Sequence, residues 1–325
     1  MLTRGVMAAA VVLACIGSAC AEDDWVYEKV ILGGTPQGAP PDDPSQHVDP
    51  NTPSSPYAGV GAVKAGGHMG SGALLTPRHV LTAAHVFDTD DNGTSNVTPS
   101  QVSFYVNNGP TPTIVDAVAI DLHPQFTGFN NPTVNDDLAI VTLAEAVPAG
   151  VPYYPLWSQP VSAGTQTQQV GYGRGGDGVS GYTVSASLTV KRVGANVFDL
   201  FEGDDDPPPG NGIAEVWYAD FDGPTSATNL FGGLTLGNNV ETTLAPGDSG
   251  GPSFIDVGGQ LYIVGVDTFA FSTTSGPSIP LFGSGCGGML VEPYLGWIDG
   301  IIPEPATAML LAAGLVGLVL RRKRC

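Results

Sequence analysis

An all-β fold is what this sequence predicts, and three observations predict it. Apolar runs are short and are broken throughout by Gly, Pro and Asn. Glycine (45 residues) and proline (28) are abundant in a chain of 325, and only 13% of residues are charged. Short runs bounded by turn formers read as strands, because glycine and proline supply the backbone conformations that tight connections need. A chain of this length buries a substantial core, and one body of more than roughly 200 residues suits it better than several small domains.

In chain order, Met1 to Ala21 has the form of a secretory signal peptide: Arg4, the apolar run Val6 to Ile16, and the small-residue end Ala19-Cys20-Ala21. Cleavage after Ala21 is expected. Residues 22–55 begin acidic and pass through Ile31-Leu32-Gly33-Gly34 into a stretch carrying Pro36, Pro40, Pro41, Pro44, Pro50 and Pro53, which reads as a linker or propeptide that builds no sheet. From Tyr57, strands are predicted at Ala58–Val63, Ala73–Leu75, Val80–Thr82, Val102–Val106, Ile114–Leu122 and Leu138–Leu143. A second set follows at Gln168–Gly171, Tyr182–Val193, Val216–Asp220, Ser253–Val257, Leu261–Thr268 and Met289–Val291, and Pro293–Ile298 reads as a short helix that packs. The folded domain is placed at 56–302, and 303–325 forms a tail.

Of the four cysteines, Cys15 and Cys20 fall in the signal and Cys325 is the last residue, so Cys286 alone remains in the domain and no disulfide is expected. The formal net charge is −20. Five of the eleven basic residues, Arg4, Arg321, Arg322, Lys323 and Arg324, lie in the terminal segments. A folded body this acidic is no partner for nucleic acid or for an anionic membrane surface.

Chemistry concentrates in Pro246-Gly247-Asp248-Ser249-Gly250-Gly251-Pro252. A serine hydroxyl framed by glycines lets a carbonyl approach backbone N–H groups, but serine is a poor nucleophile without a base and a group that orients the base. Leu81-Thr82-Ala83-Ala84-His85 offers the base, and Asp137-Leu138-Ala139-Ile140-Val141 the acid at the head of an apolar strand; Asp136 is its rival. The order His, Asp, Ser is that of chymotrypsin and not of subtilisin or the α/β-hydrolases. With Gly72-Ala73-Leu74-Leu75-Thr76 before the histidine and Gly265-Val266-Asp267-Thr268-Phe269-Ala270 after the serine, residues 56–302 resemble the chymotrypsin/trypsin family of serine endopeptidases.

That resemblance implies two six-stranded antiparallel β-barrels with the site where they meet, and a protein or peptide substrate. It implies Ser249 as nucleophile, His85 as base, Asp137 as the acid that fixes its tautomer, and the N–H groups of Gly247 and Ser249 as the oxyanion hole. Thr268 resembles the hydroxyl residue that supports the acid. Thr243 stands where trypsin has the aspartate of its primary pocket, and Leu244, Thr268, Phe269 and Ala270 would line the rest, which implies uncharged P1 residues; Asp267 is the one acid able to reverse this. Ile31-Leu32-Gly33-Gly34 resembles the family's mature N-terminus, whose freed amine pairs with the acid before the nucleophile, here Asp248. The other histidines, His47, His68, His79 and His123, read as surface or strand-end residues.

No cofactor is needed for this chemistry. Asp88, Asp90 and Asn92 space oxygen ligands like the start of a calcium loop, a structural Ca²⁺ candidate, although position twelve is Pro99 rather than Glu. Asp204-Asp205-Asp206 and Asp220-Phe221-Asp222-Gly223 read as loop acids. The tail, Pro303-Glu304-Pro305, then apolar Ala306–Leu320, then Arg321-Arg322-Lys323-Arg324, resembles the PEP-CTERM sorting signal processed by exosortases in Gram-negative bacteria. Fifteen apolar residues are marginal for a stable span, which fits a transient anchor and an exosortase-like processing partner. The expected protein is a secreted, surface-sorted serine endopeptidase; the alternative is a protease-like scaffold of low turnover that binds a matrix protein or polysaccharide.

Overall fold

Strand β1 (Leu32–Gly33) is followed by the six strands of the first unit: β2 (Val60–Ala65), β3 (His68–Thr76), β4 (His79–Thr82), β5 (Val102–Val106), β6 (Thr113–Leu122) and β7 (Ala139–Leu143). In the computed structural model, which describes residues 32–33, 47–131, 133–205, 213–237, 240–272 and 281–302, these six close into an antiparallel barrel in the order β2-β3-β4-β7-β6-β5. Period-two alternation explains the closure. In β5, Val102, Phe104 and Val106 are buried while Ser103 and Tyr105 are half-buried, so one row of side chains fills the interior. Val60, Leu74, Val80, Leu81, Phe104 and Ile140 form much of that core.

The second unit comprises β8 (Thr165–Gly171), β9 (Gly175–Asp177), β10 (Gly181–Val184), β11 (Arg192–Phe198), β12 (Leu200–Gly203), β13 (Ala214–Asp220), β14 (Thr242–Thr243), β15 (Pro252–Val257), β16 (Gln260–Phe271) and β17 (Gly285–Leu290). The expected six-stranded second barrel is here a seven-stranded sheet, ordered β11-β8-β15-β16-β17-β13-β12, beside a small sheet ordered β10-β9-β1-β14. The predicted strand Tyr182–Val193 is divided between β10 and β11. Its middle cannot pair with a strand, because its backbone is engaged elsewhere: Ser187 N–H donates to Tyr172 O (3.1 Å), and Lys191 O accepts from Asp49 N–H (2.9 Å). The C-terminal helix forms as expected, as a 3₁₀ turn at Glu292–Tyr294 leading into α1 (Leu295–Ile301).

The body begins before residue 56. Asp49 and Ser55 are buried, Val48 bridges to Arg192, and Asp49 Oδ1 lies 3.6 Å from the fully buried Lys191 Nζ. The segment read as linker is therefore docked from His47 onward by a buried ion pair. Leu32–Gly33 also pairs with Thr242–Thr243, while Ile31 lies outside the described residues, as do the signal segment, Asp206 and all of the tail beyond Ile302. Among the described residues no helix is long and apolar enough to cross a membrane. Cys286 is buried as a free thiol.

Candidate active site

β4 and the 3₁₀ turn Ala84–Val86 carry His85 out of the first barrel, and Asp137 sits two residues before the start of β7, the strand paired with β4. Pairing of Thr82 with Ala139 brings the two together. His85 Nδ1 is 2.6 Å from Asp137 Oδ2, and the His85 backbone N–H donates to Asp137 Oδ1 at 2.9 Å, so both carboxylate oxygens are held. Asp137 is fully buried. Its rival Asp136 points elsewhere, toward His123 Nδ1 at 3.0 Å. Contrary to the surface reading, His123 is buried, and its ring packs edge-on against Tyr294 and Trp297 of the C-terminal helical segment.

Ser249 comes from the second unit, in the loop between β14 and β15, and its Oγ lies 2.5 Å from His85 Nε2. Contacts across the junction explain how two units register so closely. Ser71 N–H on β3 donates to Ser249 O (2.7 Å) and Ser71 Oγ to Gly247 O (2.8 Å), while within the first barrel Thr82 Oγ1 donates to Ser71 O (2.7 Å). Gly250 adopts φ +82, and a Cβ there would lie 1.9 Å from Thr82 Oγ1, so only glycine lets this loop rest on the first barrel. From behind, Gly250 N–H donates to Asp267 O and Asp267 N–H to Gly251 O. Among the described residues, the N–H groups of Gly247 and Ser249 donate to no protein acceptor.

Asp248 turns inward over Gly171. Its Oδ1 accepts from Gly173 N–H (3.0 Å), and Gly173 O accepts from Nη1 of the buried Arg192 (2.6 Å). Burial pulls the Arg192 pKa down, and attraction to Asp248 resists that shift. Sequence reasoning missed Arg192, which no motif marks. It missed Phe129 as well, an aromatic among the turn formers Gly128 and Asn130. The Phe129 ring centroid is 5.1 Å from that of His85 and 6.5 Å from that of Phe269. With His68, Met69, Val86 and Thr89 it lines a cleft that opens on Ser249.

The pocket residues divide. Thr243 and Thr268 are fully buried, Phe269 is buried against Tyr218, and Ala270 is half-buried. Leu244 is fully buried in a core cluster with Phe198, Trp217 and Cys286, against which Ala270 also packs. Thr268 gives Asp137 no hydrogen bond, and its Oγ1 has no partner. Thr268 sits at an irregularity in the β16–β17 pairing, between Asp267 and Phe269. Asp267 is buried, with Oδ1 accepting from Ser253 Oγ at 2.7 Å.

The calcium candidate closes on itself. Asp88 accepts from the N–H groups of Asn92 and Gly93, and Asn92 Oδ1 accepts from Thr94 N–H. Asp91, in the same loop, is pushed up to about 6, first by burial and then by the charges of Asp88 and Asp137. Asp205 is exposed as expected of a loop acid, but Asp220 ends a strand and Asp222 follows in a loop, and both are buried at 2% and 1% exposure rather than solvated.

Comparison with known proteins agrees with this architecture. Residues 46–197 match the Trypsin family, and residues 302–324 match the PEP-CTERM protein-sorting motif. The Trypsin match covers the first barrel and the opening strands of the second unit, and the sorting-motif match covers the C-terminal end of the chain. Among characterised proteins it is similar to Spermosin of Halocynthia roretzi, 28% identical over 221 residues, or 64% of this chain. The chain spans about half (50%) of the length of that relative.

Proposed function

We propose that the chain is an exported serine endopeptidase in which Ser249 Oγ attacks the scissile carbonyl. His85 takes the serine proton through Nε2 and returns it to the leaving amine, while Asp137 holds the ring with Nδ1 protonated and stabilises the imidazolium. The N–H groups of Gly247 and Ser249 receive the oxyanion, a contribution worth about 10²–10³ in turnover for one donor in studied cases. The acyl-enzyme is then hydrolysed by water activated by the same histidine. The observation that carries this reading is the unbroken chain from Ser249 Oγ to His85 (2.5 Å) to Asp137 (2.6 Å).

Thr243 brings no charge to the inferred pocket base, and desolvating an unpaired Arg or Lys there costs several kcal/mol, whereas burying Leu or Phe stabilises by about 1.5–3 kcal/mol. Uncharged P1 residues are therefore preferred. The sorting motif supports transient anchoring by the tail, removal by an exosortase-like enzyme, and a final place at the cell surface or in its matrix.

Labelling with a fluorophosphonate tests the reaction. The folded wild type should react, and Ser249→Ala and His85→Ala should not. A folded wild type that stays unlabelled would favour the scaffold that binds without turnover. A P1-varied peptide library tests the pocket, and an Arg/Lys preference that disappears in Asp267→Asn would overturn its assignment.

A further inference from the structure

Away from the triad, the second unit gathers acids that the proposed reaction does not use. Asp220 ends β13, Asp222 follows it, and Glu241 immediately precedes β14; each offers a carboxylate oxygen within 4.8 Å of the others. They are 2%, 1% and 1% exposed. Among the described residues none of them makes an ion pair, and the hydrogen bonds they accept come from neutral donors. Asp220 Oδ2 accepts from Phe231 N–H (2.9 Å), Glu241 from the N–H groups of Asp222 (2.6 Å) and Leu236 (2.8 Å), and Asp222 Oδ2 from Thr235 Oγ1 (2.6 Å) and Asn229 Nδ2 (3.1 Å).

Two oxygens at this place are left over. Asp222 Oδ1 and Asn229 Oδ1 are both buried without a hydrogen-bond partner, and both residues line one cavity, with Thr225 and Thr235. A buried carboxylate oxygen with no donor is costly. A ligand that supplies positive charge to it and to two neighbouring carboxylates removes that cost.

We propose that Asp220, Asp222 and Glu241, with Asn229 Oδ1, bind a calcium ion that fastens segment 221–237 to the strand leading into the nucleophile loop. The donors are all hard oxygens, which excludes a preference for soft metals. Calcium accepts six to eight such ligands in irregular geometry, while magnesium keeps several waters and demands an octahedron, an awkward fit for carboxylates this deeply buried on a loop. Glu241 is next to Thr242–Thr243, so the ion would also steady the wall at the inferred pocket. The proposal does not depend on the chain's being a protease.

The test uses the chelated full-length chain, titrated with Ca²⁺ alone or Mg²⁺ alone. Ca²⁺ at a hundredfold excess over its Kd should raise the thermal midpoint by about 5–10 °C. Asp222→Asn and Glu241→Gln, which keep side-chain shape, should each weaken binding at least tenfold, while Asp90→Asn and Asp205→Asn should not. Hydrogen exchange on the wild type reads the location without any variant, and Ca²⁺ should slow exchange within 221–237. Absence of Ca²⁺ binding, protection confined to 88–93, or undiminished binding in both folded variants would overturn the site. Equal shifts with Mg²⁺ would overturn the choice of ion.

Discussion

Charge is buried differently in the two units. In the first barrel Asp137 lies 2.6 Å from His85 and Asp136 lies 3.0 Å from His123, so two adjacent acids each face a histidine; a third, Asp88, is held by the N–H groups of its own loop. In the second unit Asp220, Asp222 and Glu241 face one another, while the buried cations Lys191 and Arg192 serve Asp49 and the Asp248–Gly173 corner. An acid matched to an imidazole fixes a tautomer and a direction for proton transfer. Acids matched only to each other carry a standing cost that a proton or a metal must relieve. The first arrangement suits proton-transfer chemistry, and the second suits a fastening that depends on what binds there.

The largest expected effect tests the paired side. Ser249→Ala and His85→Ala should each lower kcat by about 10⁶, and Asp137→Asn by about 10⁴, as in studied triads. Asp136→Asn should change kcat less than about tenfold, because its histidine lies outside the Ser249–His85–Asp137 chain. Steady-state kinetics on folded variants decide this, and equal losses at the two aspartates would erase the distinction between the pairs.

Next is the corner where the second unit shapes the nucleophile loop. A Cβ at Gly171 would lie 1.9 Å from Asp248 Oδ1. The carboxylate cannot move away without losing Gly173 N–H, so Gly171→Ala should displace the loop and lower kcat by about 10²-fold, comparable to loss of one oxyanion donor. KM should change far less. Unchanged turnover would mean that Asp248 does not set the loop.

A third test concerns the buried pair that docks the N-terminal segment. Asp49→Ala strands the Lys191 ammonium, whose pKa burial already pulls down to about 8 against the attraction of Asp49. Removing one partner of such a pair costs about 3–5 kcal/mol. The double variant Asp49→Ala with Lys191→Met should recover most of that in urea unfolding. If the double variant is no more stable than Asp49→Ala, the segment is held by its backbone bonds to Lys191 and not by charge.

Much of the first barrel was legible because its strands are short apolar runs bounded by turn formers and its motifs are local. The choice of Asp137 over Asp136 followed from position before an apolar run, and the two side chains do point to different histidines. The second unit was harder to read for a physical reason: its decisive partners are remote in sequence. Nothing near Arg192 announces Asp248, and nothing in Asp220-Phe221-Asp222 announces Glu241. Burial of Leu244 in a core cluster and the missing hydrogen bond from Thr268 to Asp137 depend on the path of remote strands, which a single sequence does not show. The strand break after Val184 was hidden because residues 185–191 keep a strand-like pattern while their backbone bonds go to Tyr172 and Asp49.

The smallest effect brings the contrast to a single acid at the boundary between the units. Glu215, on β13, is 7% exposed and has an asparagine where Asp136 has a histidine: its Oε2 accepts from Asn135 Nδ2 at 3.1 Å. Burial first, then the Asp136 and Asp204 charges, raise its pKa from 4.5 to about 7, against the hydrogen bonds from Asn135 and Tyr294. Between those values the folded state binds more proton than the unfolded state, so the stability contributed by neutral Glu215 is complete below pH 4.5 and is lost as the pH rises through 7. Glu215→Gln removes that loss while keeping the shape. The variant should match the wild type near pH 4.5 and exceed it near pH 8 by on the order of 1–3 kcal/mol, a difference of a few degrees in midpoint. Thermal unfolding of both proteins across that range measures it, and a difference that stays flat would show that Glu215 ionises in the fold at no cost, removing one instance of the contrast between the two units.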